Sequence, residues 1–250
     1  MPKAQAAADK VVQLSSSLAP PYAVMVWKNF VYDWNGEAVR ANYNRAIQLN
    51  PKYGPTYYWY TQFLAAYEDD PALCLEMARR GLELDPLSPI AHNALAVALM
   101  RNGKYEAAID AMTSEAQISK LSLSYTNIGL CYLALDNMNG AMNAFMQGAQ
   151  LSNDNCKAYL IYCYVKQGKP IEARVWYDKL ISQSQTMYTP KSILSMAEYF
   201  IGNKDIAHEL LKKAFDDHDI LLSLSNTLFS ELCSEPRNAA LFRKYLRDKR

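Results

Sequence analysis

Apolar residues recur along this chain at the spacing of a helix face. Tyr125, Ile128, Gly129 and Tyr132 stand at i, i+3, i+4 and i+7. Leu95, Ala96 and Leu99 take the matching places one unit earlier. A second pattern sets a small residue four positions before a large apolar one. It runs through Val39/Tyr43, Cys74/Ala78, Ala108/Met112, Ala141/Phe145, Ala173/Tyr177 and Ala207/Leu211. The first members of these pairs recur at a near-constant step of about 34 residues. A further small residue often follows three later, at Ala46, Gly81, Gly148 and Ala214. The pattern breaks at Glu115 and Leu180, and a shift of one residue to Ala116 absorbs the first break. This spacing puts all three residues on one helix face, where small side chains let a neighbouring helix come close and the large one fills the gap.

The polar positions punctuate the same period. Arg101-Asn102-Gly103-Lys104, Lys166-Gln167-Gly168-Lys169 and Ile201-Gly202-Asn203-Lys204 separate the two halves of a unit. Glycine tolerates the positive φ that ends many helices, so each reads as a helix C-cap. Asn50-Pro51 and Asp85-Pro86 end one unit and open the next. Proline lacks the N–H that would continue a helix and disfavours helical geometry before it. The unit is therefore helix, tight turn, helix and polar break, repeated, which predicts an all-α chain.

Half of the 250 residues are apolar, enough for a sizeable core in one large or two ordinary domains. The 26 basic and 25 acidic residues leave a net charge of +1, with no dominating basic stripe, so no direct nucleic acid contact is expected. The basic tail Arg243, Lys244, Arg247, Lys249 and Arg250 reads as a solvated helix end. There is no apolar run of about 18 residues, so no membrane span is expected. The opening MPKAQAAADK lacks the apolar core of a secretory signal. Cys74, Cys131, Cys156, Cys163 and Cys233 form no CxxC and are odd in number, which suits buried thiols in a cytoplasmic protein.

Catalytic and metal chemistry find little support. His92, His208 and His218 make no HExxH and no i, i+4 ligand pair, and Cys156 and Cys163 share a helix face without partners. No phosphate-binding glycine loop or GxSxG elbow occurs. The acidic groups Glu68-Asp69-Asp70 and Asp216-Asp217-Asp219 read as solvated caps at helix ends. No cofactor, no metal and no enzymatic activity are expected.

A repeat of about 34 residues with this small/large pattern resembles the tetratricopeptide repeat (TPR). Tyr125, Ile128, Gly129, Tyr132, Ala141, Phe145 and Gly148 carry the motif in one unit, and Leu95, Ala96, Leu99, Gly103, Tyr105 and Ala108 in another. His92 and Lys157 depart from it where tryptophan often starts the first helix, and Ala78 where a large residue is usual. The resemblance implies an all-α, right-handed α-α superhelix (a TPR solenoid) of about six helix-turn-helix repeats with capping helices. Residues 1–19 would form an N-terminal cap or half repeat, 20–219 the array and 220–250 the C-terminal capping helices, with Leu221, Leu222, Leu224, Leu228 and Phe229 covering the last unit. Because Lys3 to Pro20 looks like a second helix without its first, either it caps the array or the chain is a piece of something longer.

A narrower resemblance rests on Tyr32-Asp33-Trp34, Arg45-Ala46-Ile47, Leu49-Asn50-Pro51, Tyr58-Trp59-Tyr60, Leu84-Asp85-Pro86-Leu87-Ser88-Pro89, and Glu235-Pro236 followed by Leu241-Phe242. These look like the C-terminal TPR tails of bacterial multidomain regulators: winged-helix transcription regulators, adenylate cyclases and Ser/Thr kinases. In the TPR architecture, first helices line a concave groove. Register then brings Lys28, Tyr32, Trp59, Phe63, Asn93, Val97 and Arg101 to it, and Thr126, Leu130, Tyr162 and Lys166 further on. An aromatic floor with scattered Lys, Asn and Arg suits an extended peptide. Trp59 and Tyr162 stand where a dicarboxylate clamp would need polar groups, so chaperone tails are not the expected ligand. Two functions follow: a non-catalytic module binding a protein or peptide partner in its groove, or a ligand-sensing regulatory domain of a larger bacterial protein. Groove aromatics also leave a homodimer open.

Overall fold

The structure is a computed structural model and describes residues 10–11, 17–67, 70–119, 122–219, 231–232 and 234–246. Among the described residues there are thirteen helices of two turns or more and no strand. The first six are α1 (Ala19–Val31), α2 (Gly36–Leu49), α3 (Gly54–Tyr67), α4 (Pro71–Leu84), α5 (Pro89–Arg101) and α6 (Tyr105–Ser119). Then come α7 (Ser122–Ala134), α8 (Met138–Gln150), α9 (Asp154–Lys166), α10 (Pro170–Ser184), α11 (Lys191–Ile201), α12 (Lys204–Asp216) and α13 (Pro236–Leu246). They fall into two compact units that divide between Ala111 and Met112, inside α6.

In the first unit α1 pairs with α2 and α3 with α4, while α1, α3 and α5 lie side by side as a row of first helices. In the second unit the pairs are α7 with α8, α9 with α10 and α11 with α12. There α9 lies beside α11, α8 packs on α9, and α13 packs on α12.

The small/large pattern is the reason for this pairing. Val39, Cys74, Ala108, Ala141, Ala173 and Ala207 are all at most 1% exposed. Their partners Ala78, Met112, Phe145, Tyr177 and Leu211 are buried too. Ala116 is buried in the shifted place, and Leu180 is buried where the pattern would set a small residue. The close approaches need glycine where they occur. A Cβ on Gly129 would lie 2.2 Å from the Phe145 ring, and one on Gly148 would lie 2.4 Å from the Cys156 sulfur.

The polar breaks end one helix and cap the next. Asn50 N–H donates to the Ala46 carbonyl at 2.9 Å and Asp85 N–H to that of Gly81 at 3.0 Å, closing α2 and α4. Side-chain oxygens of Asn35, Asp70, Ser88, Asn137 and Asn153 accept from the first-turn N–H groups of α2, α4, α5, α8 and α9. Gly103 (φ +68°), Gly168 (+70°) and Gly202 (+104°) take the left-handed conformation in the turns within a unit. Asp70 is thus a cap, as the sequence suggests. Glu68, Asp69, Cys233, Leu221, Leu222, Leu224, Leu228 and Phe229 lie outside the described residues, as does most of Lys3 to Leu18.

Candidate functional site

The first helices α1, α3 and α5 carry the aromatic face of the first unit. Trp59 is half-buried, its ring 4.5 Å from that of Trp27 and 5.1 Å from that of Tyr58. Phe63 is only 2% exposed: Phe30, Tyr60 and Tyr67 surround its ring at 5.7–6.0 Å, and the Arg40 guanidinium lies over it. Phe63 is therefore held in the packing between α1 and α3, not offered at the surface. Asn93 is buried as well. Lys28 pairs with Asp33 at 2.8 Å, and Asn29 donates to the same carboxylate at 2.6 Å. Tyr32 and Val97 are half-buried, and Arg101 is exposed at the end of α5.

In the second unit the first helices α9 and α11 bring Tyr162 against Phe200, ring centroids 5.0 Å apart. Lys166 lies one turn further along α9, its ammonium 5.3 Å from the Tyr162 ring and 3.3 Å from a Glu231 oxygen. The Tyr162 hydroxyl is pushed up to about 12, first by burial and then by the nearby Glu231 carboxylate. Leu130 is half-buried on α7. Thr126 is buried: its hydroxyl meets the Cys156 sulfur at 3.2 Å and accepts from Asn153 at 3.1 Å. Its role is to tie α7 to the start of α9.

Trp27, Phe200 and Glu231 complete these clusters beyond the groove positions expected from the sequence. Phe200 was within reach, since it stands one repeat period after Lys166. Trp27 and Glu231 had no such signal, because neither stands in the register that marks the groove.

The largely buried charged groups Lys157, Asp154 and Glu198 sit in satisfied polar networks. Lys157, a departure from the repeat motif, pairs with Asp154 at 3.0 Å, both side chains nearly enclosed, and donates to the Gln183 amide oxygen. The Asp154 carboxylate also accepts from Gln183 at 2.8 Å and Thr189 at 3.1 Å. Buried Glu198 accepts from Tyr177 and Asn203, each at 2.7 Å. His92 meets the Pro86 carbonyl at 2.9 Å. Asp219 does more than sit at a solvated end: it accepts from Tyr188 and from the Lys191 backbone N–H, both at 2.6 Å, and so caps α11 from afar. Desolvation pushes the Cys74 thiol up to about 11 and those of Cys156 and Cys163 to about 12, which makes them poor nucleophiles. No group of three metal-ligating side chains converges among the described residues. No helix among them is long and apolar enough to cross a membrane.

A cavity of about 220 Å³ opens on the second unit, lined by residues of α6, α7 and α8. Tyr125, Tyr132, Asn143 and Gln147 rim it over Ile128 and Ala144.

These paired helices define the class of fold: a tetratricopeptide-repeat solenoid, all-helical in its described residues. The sequence carries tetratricopeptide repeats at residues 77–110 and 123–155, where two profiles of that repeat match. Those stretches contain much of the two units with the fullest motif. No curated protein matches the chain in sequence. Among solved structures it is similar to PilW, a widely conserved type IV pilus biogenesis factor (11% identity, 74% of this chain and 86% of that one, TM-score 0.60). It is also similar to pilF of Pseudomonas aeruginosa (15% identity, 97% and 99%, TM-score 0.55). A third is the human IFIT1 dimer with PPP-AAAA (16% identity, 97% and 67%, TM-score 0.60). At these identities the likeness is one of fold.

Proposed function

We propose that this chain is a non-catalytic protein-interaction module whose first helices bind an extended peptide segment of a protein partner. The observation that carries this reading is the state of the aromatic side chains on those helices. Trp59 and Tyr162 are half-buried, each braced by a second ring, Trp27 or Phe200, that holds it in place. A ring immobilised in this way loses little entropy when a peptide covers it, and such rings dominate binding energy at interfaces. A lysine stands beside the second of these rings, with the Lys166 ammonium 5.3 Å from Tyr162. Of the register positions, Lys28, Tyr32, Trp59, Val97 and Arg101 in the first unit and Leu130, Tyr162 and Lys166 in the second keep exposed surface to offer. The largely buried charged groups Asp154, Lys157 and Glu198 are tied up in structural networks, which favours binding over turnover.

The test is a random peptide library selected on the intact chain. Trp59→Ala or Tyr162→Ala should weaken a selected peptide about 30-fold, the equivalent of a ~2 kcal/mol hot spot. Ile171→Ser, at a 78% exposed site on the second helix α10, should leave it unchanged. Circular dichroism would verify that each variant is folded. Peptides indifferent to both aromatic changes would end the reading.

A further inference from the structure

We propose that Glu231 is an internal competitor at the Tyr162–Lys166–Phe200 patch, and that the peptide taken there carries a carboxylate where Glu231 now sits. The inference rests on the peptide-binding reading and adds the chemistry of the partner. Lys166 and Glu231 are separated in the chain by two further helix pairs' worth of sequence, yet Nζ and Oε1 are 3.3 Å apart. A carboxylate from a distant segment is thus already seated on the lysine that overlies the Tyr162 ring. The patch displays its own preference: an aromatic floor, a cation and an anion upon it.

The arrangement recurs nearby. Lys204 lies 5.6 Å from the Tyr199 ring and 3.7 Å from Glu235. Tyr199 and Phe200 are themselves 5.6 Å apart, so the two lysine–aromatic–glutamate trios adjoin. The segment that supplies both glutamates covers the cations as an acidic peptide would. The Lys166 and Glu231 side chains are 47% and 41% exposed. Ion pairs this open to water are weak and exchange readily, so an incoming carboxylate replaces Glu231 like for like. The patch is therefore restrained without being shut.

The experiment uses the full chain and two short fluorescein-labelled peptides, one alternating glutamate with tyrosine and the other glutamine with tyrosine, read by fluorescence anisotropy. Glu231→Gln should bind the glutamate peptide about two- to fivefold more tightly than the unaltered chain, the range an exposed ion pair supports. The gain should shrink in high salt. The glutamine peptide should not distinguish the two chains, and Lys166→Met should remove the gain. An unchanged affinity for the glutamate peptide in Glu231→Gln, or an equal gain for the glutamine peptide, overturns the competitor. If Tyr162→Ala still weakens both peptides in that case, the peptide-binding reading stands. If Tyr162→Ala leaves both peptides unaffected, that reading falls and the competitor falls with it.

Discussion

Tyr125, Phe145 and Gly148 on α7 and α8 occupy the same repeat register as Lys157, Tyr177 and Leu180 on α9 and α10, each one repeat later. The two seams are nevertheless held by different physics. At α7 and α8, Phe145 is fully buried against the bare backbone of Gly129 and stacks on Tyr159 at 5.0 Å, while Gly148 admits the Cys156 sulfur. At α9 and α10, Lys157 replaces an aromatic and is enclosed with Asp154, Gln183 and Thr189, and Tyr177 reaches Glu198 through its hydroxyl. Register decides which positions point inward. Residue type decides whether the seam closes by dispersion and exclusion of water or by satisfied polar groups. The first kind fails by leaving a cavity, the second by leaving a charge without its partner.

The largest separation between the seams should come from Phe145→Ala, at about 3–5 kcal/mol of stability in urea unfolding. Gly129 has no side chain to move into the space, so the cavity persists. Since repeat arrays sum local terms, hydrogen exchange should rise first in α7 and α8. A loss under about 1 kcal/mol would contradict the register itself.

Lys157→Ala probes the other seam and should cost somewhat less, about 2–3 kcal/mol. Removing one member of a buried ion pair is usually more damaging, but Asp154 keeps its bonds from Gln183 and Thr189. The double change Lys157→Met with Asp154→Asn should restore most of the loss, because no buried charge then remains. If the double variant is as unstable as the single one, the network is not what holds this seam.

The contact seam was legible in the sequence and the polar seam largely was not. Small/large spacing identified the buried positions from Val39 to Leu211, except Tyr43, which is half-buried, because helix periodicity decides which face a residue occupies but not how fully a neighbour covers it. The turn glycines were legible for a similar local reason. Lys157 stood out only as a departure from the motif. Its partner Gln183 lies near the end of another helix, and no local rule links the two. The groove positions divide in the same way. Register placed Phe63, Asn93 and Thr126 toward the groove, but whether a neighbour covers them is a tertiary matter. Phe30 and Tyr67 cover Phe63, and Asn153 and Cys156 engage Thr126.

The smallest expected effect is the most specific to the polar seam. Tyr177→Phe keeps the ring and deletes only the hydroxyl, leaving buried Glu198 with Asn203 alone, for a cost of about 1–2 kcal/mol near neutral pH. Burial, and then the hydrogen bond to Glu198 and its charge, push the Tyr177 hydroxyl up to about 12. The unfolded chain titrates tyrosine near 10. Between about pH 10 and 12 the folded state therefore keeps a proton that the unfolded state has released, so stability falls as pH rises through that window. Below it the contribution of the hydroxyl is fully present. Tyr162 and Tyr188 are also pushed up to about 12, so both chains should lose stability in alkali. The unaltered chain should lose more, and its advantage over Tyr177→Phe should shrink across the window. Urea unfolding of both chains at intervals from about pH 8 to 12 reads this directly. A gap that stays constant would mean that the hydroxyl titrates as freely in the folded chain as in the unfolded one, and that Glu198 is held by some other group.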